Sequence, residues 1–254
     1  MFGEVVEIYR QSKKKKDNFW TEWISRPPAA VFVWMLRGTP VTPNQVTFLS
    51  LAVFAGGAAI LITWLHFIGL LVAVGVMQLS YILDCVDGQL ARWKNMSSPV
   101  GALLDFLMDE IKAFLLIGSA CVRLWRWSGS IVWLLVGIGG LFVAATGITL
   151  TSFMRRPEYL DATGTKPRPD FMQPKEKDAA PRSLVGRVVG AVEWVGRYIV
   201  HYPSWIVYTA AADRLDLFVW IYLGAHTLYL GRASLTVLVK LGRPQKAPPP
   251  PEPA

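Results

Sequence analysis

The stretch DCVDGQLAR (residues 84–92), followed after eight residues by GALLDFLMD (101–109), decides how this chain is read. It places Asp84, Asp87, Asp105 and Asp109 inside sequence apolar enough for a membrane interior, between FIGLLVAVGVMQLSYIL and EIKAFLLIGSACV. An ionised carboxylate in the middle of a membrane helix costs ~2.5–3.5 kcal/mol on insertion scales, so such groups persist where they are paired or bound to a cation. On helical spacing, Asp84, Asp87 and Ala91 fall at i, i+3 and i+7, and Gly101, Asp105 and Asp109 at i, i+4 and i+8. Each trio therefore lies on one helix face. The connection between the two stretches is short, which makes them antiparallel neighbours whose acidic faces can converge.

Oxygen donors without histidine suit Mg²⁺ or Mn²⁺ better than Zn²⁺. Four carboxylates suit two such ions, a recurrent device for displacement at phosphorus that neutralises the attacking and leaving oxygens. Gly88 and Ala91 remove side-chain bulk where a ligand would approach, and Arg92 is suited to holding a phosphate or a base edge. Cys85, between two aspartates, is a soft ligand in an oxygen site and reads as a small packing residue.

Composition sets the setting. Of 254 residues, 53% are hydrophobic and only 17% charged, against about 25% charged in ordinary soluble domains. Several apolar stretches exceed the ~18 residues that mark a membrane span. The expected fold is an all-α membrane protein of six transmembrane helices preceded by an amphipathic interfacial helix. The first 26 residues are polar and basic, so no cleavable signal is expected.

Residues 1–40 read as the interfacial segment: Phe19, Trp20, Trp23 and Ile24 recur at helical spacing beside Lys13 to Lys16, and Pro27 and Pro28 are expected to break that helix. A six-helix domain over 41–241 follows. Its spans run over about 45–65, 70–92, 100–124, 131–154, 202–212 and 215–239, with Thr42 capping the first. Residues 155–183 form a polar insertion, and 242–254 a disordered proline-rich tail.

The net charge of +8 sits mostly outside the spans. Basic residues gather in the N-terminal segment, the 93–99 loop, the 155–200 stretch and the tail, whereas the opposite connections carry only Arg123, Arg126 and Arg214. The first set is therefore cytoplasmic, with both termini and the aspartates on that side. These clusters flank apolar segments and form no groove for nucleic acid.

The quoted run resembles the signature of the CDP-alcohol phosphotransferase family, D-x-x-D-G-x-x-A-R-x8-G-x-x-x-D-x-x-x-D, at every fixed position, and TPNQVT (42–47) before span one is similar too. The resemblance implies transfer of a phospho-alcohol unit, phosphatidyl being favoured, from a CDP-linked donor to an alcohol acceptor with release of CMP. It implies that Asp84, Asp87, Asp105 and Asp109 ligate two ions of Mg²⁺ or Mn²⁺ and that Asp109 also acts as general base. It further implies that Asp84, Gly88, Ala91, Arg92 and Gly101 shape the CDP pocket, that Asn44 lies near it, and that the protein is a homodimer in a bacterial or archaeal inner membrane.

The N-terminal sequence KKKKDNFWTEWISRP (13–27) is also similar to the di-myo-inositol-phosphate-phosphate synthase branch, although Glu110 stands where that family has Lys or Arg. Candidate acceptor-binding residues are Arg155 and Arg156, which close span four, and His201, which enters span five beside Tyr202. For the two arginines, phosphate recognition and simple anchoring at the headgroups both remain open. Lys112, one turn beyond Asp109, is placed to pair with a carboxylate. A carboxylate-lined divalent-cation transporter and an inactive lipid-binding relative are the rival classes, and CMP release separates the enzyme from both.

Overall fold

The computed structural model describes residues 2–12, 18–165, 198 and 201–242. All regular secondary structure among these residues is helical. The chain begins with α1 (Phe2–Ser12), a π-turn (Thr21–Ser25) and α2 (Arg26–Leu36). Four long helices follow: α3 (Pro43–Thr63), α4 (Phe67–Trp93), α5 (Pro99–Ser128) and α6 (Val132–Met154). After α7 (Pro157–Thr163), the described chain resumes with a 3₁₀ turn (Tyr202–Ser204), α8 (Ile206–Ala211) and α9 (Leu215–Leu241).

The helix ends are set by local chemistry. Thr42 opens α3 with a full capping box: its side chain accepts from the Gln45 N–H, and the Gln45 side chain accepts from the Thr42 N–H. Pro43 occupies the first turn, where its missing N–H is not needed. Ser98 opens α5 by accepting from the Gly101 N–H at 3.0 Å, again with proline in the first turn. Gly129 closes α5 with φ +71°, a left-handed cap that glycine adopts without strain.

The prolines at 27 and 28 do not break the N-terminal segment. They occupy the first turn of α2, and the helical path continues through them from the π-turn. The reason lies in the hydrogen bonds. Neither proline can donate, and the turn ahead of them widens so that the Arg26 N–H bonds to the Thr21 carbonyl. Phe19 and Trp23 project outward, 70% and 67% exposed. Trp20 turns inward and donates from Nε1 to Gln78 at 3.3 Å.

Two apolar cores hold the helices. One gathers Phe54 and Leu61 of α3, Leu70 and Met77 of α4, Leu116 of α5, and Phe218 of α9. The other packs Ile8, Ala29, Ala30 and Val33 against Val46, Leu83, Val86 and Leu90. Helix α4 passes from the first core to the second between Met77 and Leu83, which is where its aspartates begin. Helices α5 and α6 approach closely because Gly137 has no side chain: a Cβ there would lie 2.9 Å from that of Cys121. Neither cysteine is in a disulfide; Cys121 is buried and Cys85 partly so.

Among the described residues, three helices are long and apolar enough to cross a membrane: Pro43–Thr63, Phe67–Trp93 and Val132–Met154. They correspond to expected spans one, two and four. Expected spans three and six coincide with α5 and α9, which have the length, at 30 and 27 residues, but interrupt their apolar character with charge. Span five is represented by the six residues of α8, a rise of ~9 Å, and most of 184–200 lies outside the described residues. The polar insertion includes a short helix, α7, and residues 166–183 of the insertion and 243–254 of the tail lie outside them as well.

Candidate active site

Helix periodicity brings the acidic faces of α4 and α5 together. Carboxylate oxygens of Asp84, Asp105 and Asp109 all lie within 4.8 Å of one another. Two like charges 4 Å apart repel by ~4 kcal/mol at an effective dielectric near 20, so this trio needs positive charge beside it. Part of that charge comes from Lys112, one turn along α5. Its ammonium is paired with Asp84 and lies 3.5 Å from Oδ1 of Asp109.

Asp87 stands apart from this trio. It is buried, and its Oδ2 accepts a 2.6 Å hydrogen bond from the Thr47 hydroxyl of α3. That bond fixes the carboxylate of Asp87 from a third helix. Thr47 was not singled out by the sequence, although it closes the TPNQVT run; its signal is a hydroxyl in the second turn of an apolar helix, on a face that packs against α4.

Gly88 and Gly101 each lie against polar side chains. A Cβ on Gly88 would meet Nη1 of Arg92 at 3.4 Å, so the Arg92 guanidinium lies over that glycine. Arg92 also donates from Nε to the Ser12 carbonyl at 2.6 Å, tying the end of α1 to α4. A Cβ on Gly101 would meet Ser98 at 3.2 Å and Oδ1 of Asn44 at 3.6 Å. Asn44 thus sits beside the α5 N-terminus, while Thr42 and Gln45 do the capping of α3. Ala91 is half-buried on the same α4 face as Asp84 and Asp87.

The three candidate acceptor residues fall in different surroundings. Arg155 lays its guanidinium over the Phe106 ring, 5.1 Å from the centroid, beside the residue that follows Asp105, and within electrostatic reach of Glu110. Arg156 is exposed at the start of α7. His201 packs edge-to-face on Tyr81, and its Nε2 lies 2.9 Å from the Tyr81 hydroxyl. That hydroxyl in turn meets Thr21 at 2.6 Å, and Gln78 donates to the Pro203 carbonyl at 3.0 Å. A polar cluster therefore joins the π-turn, α4 one turn ahead of Asp84, and the segment at 201–203.

At the other end of α5, Arg123 is buried and turned inward. It donates to the carbonyls of Leu61, Trp64, Leu65 and His66, which close α3 and lead into α4. His66 itself is exposed ahead of α4, and His226 packs on the Tyr222 ring within α9.

Residues 40–174 match the family described as CDP-alcohol phosphatidyltransferase. The chain is 38% identical over 84 residues to the bifunctional IPC transferase and DIPP synthase of Rubrobacter xylanophilus, a match covering 33% of this chain and 18% of that protein. It is 33% identical over 116 residues to cholinephosphotransferase 1 of Rattus norvegicus, covering 41% of this chain and 29% of the relative. With the phosphatidylinositol phosphate synthase of Corynebacterium glutamicum it shares 34% identity over 98 residues, covering 37% and 43% respectively. Each match thus spans less than half of the relative's length.

Proposed function

Because the chain belongs to the CDP-alcohol phosphatidyltransferase family, we propose that it is an integral-membrane CDP-alcohol phosphotransferase. It moves a phospho-alcohol group, phosphatidyl in the favoured reading, from a CDP-linked donor to an alcohol acceptor and releases CMP. The observation that carries this reading is the convergence of Asp84, Asp105 and Asp109 from two neighbouring helices.

The residues fit a pair of hard divalent ions: every donor is a carboxylate oxygen, and the group lies in an apolar setting where its charge needs compensation. Asp84, Asp105 and Asp109 would hold the ions, with Asp87 contributing from its Thr47-fixed position. When bound, Mg²⁺ or Mn²⁺ supplies charge neutralisation to the diphosphate and the departing CMP. Asp109 takes the proton from the acceptor hydroxyl. That oxygen forms a bond to the donor's β-phosphorus, and the bond from this phosphorus to the oxygen of CMP breaks. Gly88, Ala91 and Gly101 leave room for the nucleotide, and Arg92 offers charge-assisted donors to its phosphate.

The acceptor is read from the same end of the helices. The relatives' names speak of cholinephosphotransfer, DIPP synthesis and phosphatidylinositol phosphate synthesis, and Arg155, Arg156 and His201 are the groups assigned to an anionic alcohol. Six spans, cytoplasmic termini, a cytoplasmic active site and a homodimeric assembly complete the proposal. The deciding experiment incubates purified full-length chain with labelled CDP-diacylglycerol or CDP-linked polar alcohols and a panel of acceptors: glycerol phosphate, serine, inositol, inositol phosphate and diacylglycerol. One labelled transfer product identifies donor and acceptor together. Absence of product from every pair would remove the transferase reading.

A further inference from the structure

Lys112 is 1% exposed, among the most completely buried side chains in the described residues. Its ammonium meets Asp84 on α4 and, 3.5 Å away, Asp109 on its own helix. Asp105, Asp109 and Lys112 follow one another at i, i+4 and i+7, so the lysine stem runs along the acidic face and delivers its charge back into it. Two of the three converging carboxylates are therefore already engaged by a charge belonging to the chain.

We propose that Lys112 is a tethered counter-ion of this site. It balances Asp84 and Asp109 while no cation is bound and competes with divalent ions for the same oxygens. This rests on the cation-binding reading of the trio given above. The physical argument is one of charge. Acidic groups gathered in an apolar bundle cannot wait unbalanced for ions to arrive. A covalently attached ammonium is present as soon as the helices pack, so the bundle can form first and load afterwards. The consequence is a deliberate loss of cation affinity: each ion that binds must displace the ammonium from at least part of its contacts. A lysine that merely pinned α5 to α4 would behave differently, because its removal would destabilise the protein equally with and without cations.

The test compares the full chain with Lys112→Met in lipid nanodiscs. Mn²⁺ binding is read by electron paramagnetic resonance, and unfolding temperature is read in EDTA and in saturating Mn²⁺. The expected result is Mn²⁺ binding at least tenfold tighter in Lys112→Met. In EDTA the variant melts below the parent chain, and most of that deficit disappears in Mn²⁺. Lys112→Gln keeps a donor toward Asp84 without the charge and carries the same comparison if the Met variant does not insert. Equal or weaker Mn²⁺ binding by the neutral variant, or an equal loss of stability in both conditions, overturns the counter-ion. Failure of the parent chain itself to bind Mn²⁺ overturns instead the cation reading of the trio.

Discussion

Replacing Arg123 by Met removes the donor group that closes one end of the bundle. Its guanidinium reaches four carbonyls, those of Leu61 and Trp64 through Nη1 at 3.1 and 2.8 Å and those of Leu65 and His66 through Nη2 at 2.8 and 3.1 Å. A hydrogen bond from a charged group contributes ~1.5–3 kcal/mol, but the four do not add, because His66 and Trp64 lie where water replaces part of what is lost. Each buried carbonyl left without its donor costs ~1–3 kcal/mol, and with Leu61 and Leu65 so left a loss of ~3–5 kcal/mol is expected here. For a chain of this size one kcal/mol moves the melting temperature by ~2–4 °C, so the midpoint should fall by ~6–20 °C. The assay is thermal unfolding in detergent at one fixed scan rate, since such unfolding is commonly irreversible. Arg123→Lys should recover only part of the loss, because one ammonium cannot reach both pairs of carbonyls as the guanidinium fork does. Arg123 is 14 residues along α5 from Asp109, a rise of ~21 Å, so CMP release well below the midpoint should persist. A Met variant melting within 2 °C of the parent chain would refute the reasoning.

Other substitutions address the site. Asp109→Asn should lower turnover by ~10²–10⁴-fold while donor binding by calorimetry changes far less; equal losses would make Asp109 a ligand only. Thr47→Val keeps the shape and removes the donor to Asp87, so activity should drop by ~10–100-fold, the usual effect of losing a group that orients a ligand. Wild-type rates in that variant would show that Asp87 needs no such support. Arg155→Gln with Arg156→Gln should raise the acceptor KM and leave the donor KM nearly unchanged. An unchanged acceptor KM in well-inserted protein would point to a neutral alcohol.

Much of this was legible in the sequence because it depends on local periodicity. The spacing of Asp84 and Ala91, and of Gly101, Asp105 and Asp109, is enough to assign helix faces, and the connecting loop then forces those faces together. Thr42 followed by Pro43 and Gln45 announces the start of α3 by itself. What the sequence hid are contacts made across large separations. Nothing near Asp87 points to Thr47, forty residues earlier. Arg123 and Arg126 look like residues of an outer connection, yet both donate to backbone carbonyls at the end of α3. Arg92 reads as a group for a phosphate or a base edge, yet its Nε holds the end of α1. The prolines at 27 and 28 read as a break because propensity cannot foresee a π-turn that absorbs their missing donors. In each case tertiary partners, absent from any local window, decide the outcome.

The central claim is that Asp84, Asp105 and Asp109 form a cation-dependent site for transfer from a CDP-linked donor. It is tested most directly by CMP release from purified chain, measured across Mg²⁺ and Mn²⁺ concentrations, in EDTA, and in Asp105→Asn inserted to the same level. Asparagine keeps the oxygen and removes the charge, so the account expects saturable, cation-dependent release by the parent chain and none by the variant. Release that continues in EDTA, or near-parental release by Asp105→Asn at low Mg²⁺, would contradict it.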